Sequence, residues 1–190
     1  YFETMARIAP LHDSEIPPAS RPEFERQLAA HGRVTNMKRT LARNAVALES
    51  FMTWYPLHDE VKAFLGKRAT LVYVLAISEQ SDCLVCSTYF RRHLIDAGET
   101  PERMVLDERE EALASFGRRL AMDSKDISDE VMGRITAFLT PDQVVTLTAF
   151  GAMMVATNIF INALDVELDE YLYEYREREA GSGERGAPQS

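Results

Sequence analysis

The chain of 190 residues has little cysteine and little positive charge, and each shortage excludes a class of protein. Two cysteines are too few for a disulfide scaffold of this length, so we expect a reducing, cytoplasmic location. Lysine and arginine number 21 against 30 aspartate and glutamate residues, which gives a net charge of −9. Without a basic face, the chain is not expected to bind nucleic acid or an anionic membrane.

Long hydrophobic runs are also scarce. The longest apolar stretches, residues 71–77 and 150–157, are shorter than the roughly 20 residues that span a bilayer. The amino end carries charges and prolines, so no signal peptide is predicted. We expect residues 1–5 to be an added extension ahead of a natural start at Met5, and residues 6–178 to form a single domain. Residues 179–190 are rich in Gly, Ser and Pro and are expected to be a disordered tail.

Helical signals cover most of the chain. Apolar residues recur at spacings of three and four, whereas strand-like alternation is rare. Asn44, Ser128 and the capping box of residues 140–143 are predicted to begin helices. Gly32 and Gly66 are predicted to end them. The pattern predicts an all-α fold of about nine or ten helices.

The two cysteines, Cys83 and Cys86, form a C-x-x-C motif. In a helix, residues three apart lie on one face roughly 5–6 Å from each other, within the Cα separation of about 4.4–6.8 Å that a disulfide tolerates. Asp82 is expected to cap a helix over residues 83–97, which follows a mostly apolar helix over residues 68–80. The start of that helix would stabilise a thiolate through its free amide groups and its dipole.

Two titratable residues lie near this pair in sequence. Glu79, four residues before Cys83, is either a proton acceptor for a thiol or a charge that raises the thiol pKa, and both interpretations stay open. His93 follows Cys86 by seven residues, about 10 Å along a helix, which is too far for a direct hydrogen bond. Phe90 is expected to line an apolar pocket beside the sulfur atoms.

The cysteine pair has other interpretations. C-x-x-C is half of a structural zinc site, but the chain has no second cysteine pair, and its four histidines lack metal-ligand spacing. No metal and no other cofactor is therefore predicted. Two buried cysteines can also be inert packing residues. A redox-capable dithiol is the favoured interpretation.

Residues 71–98 resemble the carboxymuconolactone decarboxylase / alkylhydroperoxidase D (AhpD-like) superfamily, in its peroxidase-related branch. The similarity consists of an apolar helix that ends at Ser78, a short polar link, C-x-x-C opening the next helix, and a later Ala97-Gly98. Residues 157–167 look like the late helix of that family, and residues 32–36 resemble the lead-in of its longer members. The resemblance implies an AhpD-like helical fold and a homo-oligomer, as a dimer, trimer or hexamer.

The same resemblance implies a chemistry. Cys86 would attack a small hydroperoxide, and Cys83 would resolve the sulfenic acid into a disulfide. An external thiol reductant would then restore the dithiol.

The chain departs from the family motif at the residues that move protons. Leu71 and Phe90 stand where the peroxidase motif has a glutamate and a histidine. The late helix of the family often contains Asn-Arg, whereas here Ile159 follows Asn158. We therefore expect weak peroxidase turnover, since general-base assistance is typically worth about 10²–10⁴-fold. Replacement of the missing groups by Glu79 or His93 is a hypothesis.

The sequence thus predicts a thiol-dependent hydroperoxide reductase or thiol–disulfide oxidoreductase with Cys83, Cys86 and Glu79 as catalytic residues. One alternative is a cofactor-free lyase or isomerase of the carboxymuconolactone decarboxylase type, acting on a small organic acid held by Tyr73, Glu79 and His93. Another is a redox-sensing oligomer without turnover.

Overall fold

A computed structural model describes residues 6–176 of the chain, and over that range the protein is all-helical, without strands. The nine α-helices of this range are α1 Arg21–His31, α2 Asn36–Leu41, α3 Ala45–Met52, α4 Trp54–Leu65, α5 Lys67–Gln80, α6 Leu84–Ile95, α7 Glu108–Met122, α8 Asp129–Thr136 and α9 Pro141–Ala163. The predicted all-α class is confirmed. The expected extension over residues 1–5 and the expected tail over residues 179–190 lie outside the described residues.

Three 3₁₀ helices complete the described chain, at Asp13–Glu15, Pro101–Arg103 and Glu170–Tyr175. Side chains cap the starts of four of the described α-helices. The side chain of Asn44 accepts a hydrogen bond from the Ala47 amide, and Thr140 forms a capping box with Gln143.

Helix α5 lies at the centre of the fold and packs against α4, α6, α7 and α9. Its residues 70–78 are all buried, as their nearly continuous apolar sequence predicts. Tyr73, Phe116 and Phe150 are the largest fully buried side chains of the core around it. A separate apolar cluster, which includes Leu11, Phe24 and Leu48, joins the N-terminal segment to helices α1 to α3.

Tyr73 packs where helices α5, α7 and α9 approach one another. Its hydroxyl donates a hydrogen bond to the carbonyl oxygen of Leu147 at 3.2 Å. A Cβ atom added at Gly151 would lie 2.0 Å from this hydroxyl, and one added at Gly117 would lie 3.1 Å from the Tyr73 ring. Both glycines are therefore needed for the close contact of the three helices.

The segment after α9 folds back on the N-terminal part of the chain. Arg7 forms an ion pair with Asp165 at 2.6 Å, and the Asn36 amide donates to Asp169 Oδ1 at 2.9 Å. These contacts bring the start of α2 against the segment that leads into the last 3₁₀ helix. The two ends of the described chain thus meet beside α6.

Helix α9 is long and apolar enough to cross a membrane, judged by length and composition alone, with a mean hydropathy of 1.9 over its most apolar window. Central helices of globular folds pass the same test. In this structure α9 contacts α4, α5, α7 and α8, and 39% of that window is buried. Threonine and asparagine interrupt its apolar residues, so the sequence shows no long apolar run here.

Candidate active site

The link between α5 and α6 determines where the two sulfur atoms lie. The Cys83 amide donates to the Ser78 carbonyl at 3.0 Å, and the Asp82 amide donates to the Glu79 carbonyl at 3.0 Å. This pair of bonds is a Schellman motif, with Asp82 in the left-handed conformation at φ 49°. The prediction that Asp82 caps the second helix is therefore wrong, because Asp82 ends α5 and Cys83 is the N-cap of α6.

Cys83 has the more acidic thiol of the pair. Its pKa is lowered chiefly by the Cys86 thiol, which donates towards the Cys83 sulfur. The backbone amides of Cys86 and Val85 also lower the pKa of Cys83, although the Cys83 side chain forms no N-capping hydrogen bond. Burial and the carboxylate of Asp82 oppose these effects. Cys83 is thus the residue at which a thiolate is stabilised.

Cys86 has the opposite character. Its pKa is raised well above the ordinary value by its hydrogen bond to Cys83 and by burial. Both cysteines are free thiols in this structure. Since the raised and lowered pKa values belong to one interacting pair, the first proton leaves the pair as a whole and the remaining proton is shared between the two sulfur atoms.

A small cavity adjoins Cys86 but not Cys83. We call it the Cys86 pocket; its volume is about 70 Å³, and it is bounded by residues of α2, α4, α6, α9 and the segment 169–172. Trp54, Phe90 and Met154 form part of its largely apolar wall. The pKa values thus favour a thiolate at Cys83, whereas access to the cavity favours Cys86 as the sulfur that meets a small molecule.

One side of the Cys86 pocket carries a buried lysine. Lys38 Nζ donates to Gln27 Oε1 and to the Tyr55 hydroxyl, each at 2.7 Å. Burial lowers the pKa of Lys38 to about 8, although Glu23 and Asp169 act in the opposite direction. Burial also raises the pKa of Tyr55, which keeps its hydroxyl neutral.

Another side of the pocket carries Asp169, whose side chain is 9% exposed. Its Oδ1 accepts the amide hydrogen of Asn36, whereas its Oδ2 is buried without a hydrogen-bond partner. Burial raises the pKa of this carboxyl group, and the Asn36 amide together with Arg39 and Arg33 opposes the rise. One residue of the pocket wall thus has a buried carboxylate oxygen without a hydrogen-bond partner.

The structure separates the other candidate residues from the pocket. Glu79 is exposed on the last turn of α5 and is not among the residues that line the cavity. His93 packs against the Tyr89 ring, with ring centroids 4.9 Å apart, and burial lowers its pKa to about 4. Tyr73 belongs to the core, so it cannot hold a substrate beside Cys86.

Lys38, Tyr55 and Asp169 were not predicted from the sequence. The sequence does contain one indication for Lys38. It follows Val34 by four residues and precedes Leu41 by three, so at helical spacing its charge lies on an apolar face. Asp169 lies between Leu168 and Leu172, which are also buried. Residues 6–176 contain no group of three or more His, Cys, Asp or Glu side chains that could hold a metal ion.

No family model matches the chain, and no curated protein matches its sequence. Solved structures do match. A cysteine-to-alanine variant of the debrominase Bmp8, in complex with 2,3,4-tribromopyrrole, superposes with a TM-score of 0.68 at 16% identity, covering 88% of this chain and 94% of the debrominase.

Two further structures are similar. An uncharacterised peroxidase-related protein from Silicibacter sp. matches with a TM-score of 0.67 at 16% identity, covering 85% of this chain and 91% of that one. An alkylhydroperoxidase AhpD core, from an uncharacterised peroxidase-related protein of Ralstonia eutropha, matches with a TM-score of 0.66 at 15% identity, covering 88% and 94%. The fold of this chain is therefore AhpD-like, as the resemblance of residues 71–98 implied.

Proposed function

We propose that the protein is a thiol-dependent oxidoreductase in which Cys83 and Cys86 alternate between dithiol and disulfide while a small hydroperoxide is reduced. The observation that carries this proposal is the placement of two free thiols one helical turn apart, with only Cys86 on the cavity. Helix geometry allows the two sulfur atoms to bond with little backbone movement. The AhpD-like fold supports the assignment.

The proposed reaction begins with transfer of the Cys86 proton to the Cys83 thiolate. The Cys86 thiolate attacks the terminal oxygen of the hydroperoxide, so an S–O bond forms and the O–O bond breaks. The leaving alkoxide takes the proton back from Cys83 and departs as an alcohol. Cys83 then attacks the sulfenic acid and releases hydroxide, which leaves a disulfide for an external thiol to reduce.

Cys83 has two roles in this sequence, first as the base for Cys86 and then as the resolving thiolate. A base is needed because the pKa of Cys86 is raised, and Leu71 and Phe90 supply none. A thiolate of lowered pKa is a weaker base than the relay of a complete motif. We therefore expect turnover below that of complete-motif relatives by about 10²–10⁴-fold.

The test is formation of the disulfide after one equivalent of tert-butyl hydroperoxide, measured by intact mass and by loss of free thiols. The parent should lose two thiols, whereas Cys86→Ser should keep its remaining thiol and consume no peroxide. Ser87→Ala, at a half-buried position of the same helical turn that does not line the cavity, is the matched control and should behave like the parent.

Cys83→Ser should slow the first step and stop at a sulfenic acid, which dimedone traps. Peroxide consumption at the parental rate by Cys86→Ser would contradict the proposal. An activity on an organic acid that survives the loss of both cysteines would instead support the lyase or isomerase.

A second function, reductive dehalogenation, is favoured by one observation. The Cys86 pocket is walled by aromatic and apolar side chains, and the similar debrominase binds a brominated pyrrole. Here the Cys86 thiolate would attack bromine and form an S–Br bond, while the ring carbon takes a proton. Cys83 would then displace bromide and form the disulfide, so that two thiols are oxidised for each C–Br bond converted to C–H.

Bromide release from 2,3,4-tribromopyrrole in the presence of dithiothreitol tests this second function. The parent and Ser87→Ala should release bromide, and Cys86→Ser should not. If the parent reduces hydroperoxide but releases no bromide, dehalogenation is excluded and the first function stands.

A further inference from the structure

The unpartnered oxygen of Asp169 distinguishes the Cys86 pocket from the rest of the interior. Within residues 6–176, five buried side-chain polar atoms lack a hydrogen-bond partner, and among them only Asp169 Oδ2 belongs to a residue that lines this cavity. A buried acceptor left without a donor costs about as much as a lost hydrogen bond, so a ligand that supplies the donor gains that energy on binding.

The neighbouring polar groups leave this oxygen available. Asn36 holds Oδ1 through its backbone amide and thereby fixes the orientation of the carboxylate. Lys38 uses two of its hydrogens on Gln27 and Tyr55, and it forms no ion pair with Asp169 within 4.0 Å. The Tyr55 hydroxyl accepts from Lys38 and so can itself donate to a ligand oxygen.

The size and lining of the cavity limit the ligand further. A volume of about 70 Å³ holds roughly five to seven water-sized atoms, at about 10–15 Å³ each. Trp54, Phe90 and Met154 offer apolar and aromatic surface, which suits a five- or six-membered ring or a short branched chain. An anionic ligand would bring a second negative charge towards Asp169.

We propose that the Cys86 pocket selects small, neutral, largely apolar molecules that carry one O–H or N–H group, and that this group donates a hydrogen bond to Asp169 Oδ2. The contact orients the ligand against the Cys86 sulfur. The inference deepens the proposed function and rests on it for the reaction that follows binding, because a hydroperoxide of this size carries such an O–H. Binding itself requires no redox step.

The test compares phenol, which has the O–H donor, with anisole, in which a methyl group replaces that hydrogen. Trp54 is the chain's single tryptophan and lies in the pocket wall, so its fluorescence reports occupancy when it is excited at wavelengths where neither ligand absorbs. The reduced parent should bind phenol at least about five-fold more tightly than anisole, which is the expected effect of one buried hydrogen bond.

Asp169→Asn is the decisive variant, because its side-chain oxygen can still accept from Asn36 while an NH₂ group replaces the free acceptor. The ratio of the phenol affinity to the anisole affinity should be at least about five-fold lower in this variant than in the parent. Asp126→Asn, at an exposed carboxylate paired with Arg119, is the control and should keep the parental preference. Because each variant meets the same two ligands, the extra methyl group of anisole cancels in the comparison.

A ratio of affinities in Asp169→Asn that equals the parental ratio overturns the proposal, as does a parent that binds neither ligand or binds both equally. Cys86→Ser separates this inference from the proposed function. If Cys86→Ser retains the Asp169-dependent preference while the parent fails to form a disulfide with hydroperoxide, the binding inference stands and the proposed function fails.

Discussion

Two tyrosines, one fully buried and one half-buried, mark two regions of this molecule that are packed in opposite ways. In the core, Tyr73 donates its hydroxyl to Leu147, and its ring fills the space above Gly117 and Gly151 completely. In the Cys86 pocket, Tyr55 borders an open cavity and its hydroxyl is held by Lys38. The Tyr73 hydroxyl is thus satisfied internally, and the packing around it leaves no room for a ligand.

In the second region, the Cys86 pocket, the polar side chains form only some of the hydrogen bonds that they could form. Lys38 is fixed by Gln27 and Tyr55, and Asp169 is fixed by Asn36, but Asp169 Oδ2 has no partner. Such groups cost stability. We infer that the close-packed core offsets the stability that is lost at the pocket. This is a common arrangement at functional sites.

The largest expected effect comes from filling the space above the core tyrosine. Gly151→Ala places a Cβ 2.0 Å from the Tyr73 hydroxyl and 2.5 Å from Leu120 Cδ2. We expect the free energy of unfolding to fall by about 3 kcal/mol, at the upper end of overpacking effects. Urea denaturation measures the change.

Gly133→Ala is the matched control, because it adds the same methyl group in helix α8 with nothing within 4 Å. It should leave stability unchanged or raise it by up to about 1 kcal/mol through helix propensity. If Gly151→Ala and Gly133→Ala lower the free energy of unfolding equally, the core around Tyr73 is not packed more tightly than the position of Gly133.

The next effect concerns pH and the pocket lysine. The pKa of Lys38 is about 8 in the folded chain against 10.5 without burial, so between these values the unfolded chain binds the proton that the folded chain has lost. Stability attributable to Lys38 is therefore lowest below pH 8 and rises as the pH increases towards 10. The full difference is about 3 kcal/mol, at roughly 1.4 kcal/mol for each pH unit.

Urea denaturation of the parent and of Lys38→Met, at intervals from pH 7 to pH 10, isolates this contribution. The parent should gain about 2 kcal/mol relative to Lys38→Met over that range. Lys62→Met, at an exposed lysine of α4, should follow the parent at every pH. A parent and a Lys38→Met protein with parallel stability profiles would show that the pocket lysine is as well solvated as a surface one.

The smallest effect is the loss of one hydroxyl from the closed region. Tyr73→Phe removes the hydrogen bond to the Leu147 carbonyl and should lower the free energy of unfolding by about 1 kcal/mol, without changing the preference for phenol over anisole. Tyr173→Phe removes an exposed hydroxyl as the control and should have no measurable effect. A changed ligand preference in Tyr73→Phe would mean that the two regions are not independent.

The sequence predicted those elements whose boundaries are determined locally. Asn44, Ser128 and Thr140 accept their capping hydrogen bonds as expected, and Gly32 ends α1 in the left-handed conformation. Asp82 was misassigned, because an aspartate suits both an N-cap and a left-handed C-terminal position. Only the hydrogen bonds of the Cys83 amide to Ser78 and of the Asp82 amide to Glu79 distinguish these two possibilities.

The pocket could be predicted only in part. Cys86 and Phe90 lie on one helix, so their spacing was sufficient to place them together. Lys38, Tyr55 and Asp169 come from three segments that meet only through tertiary packing, and no local pattern connects residue 38 to residue 169. The roles assigned to the two cysteines stay predictions that Cys86→Ser and Cys83→Ser test, and the role assigned to Glu79 stays a prediction.

The contact between Asn36 and Asp169 also has a consequence for how the protein is made. Synthesis proceeds from the amino end, so Cys83 and Cys86 emerge from the ribosome long before the segment 169–172 that closes the cavity. Until that segment docks, the cavity beside Cys86 lacks part of its wall, and an oxidant can reach the thiol more easily. Protection of this dithiol is therefore among the last events of folding, and a chain truncated after α9 would carry its reactive sulfur atoms without their enclosure.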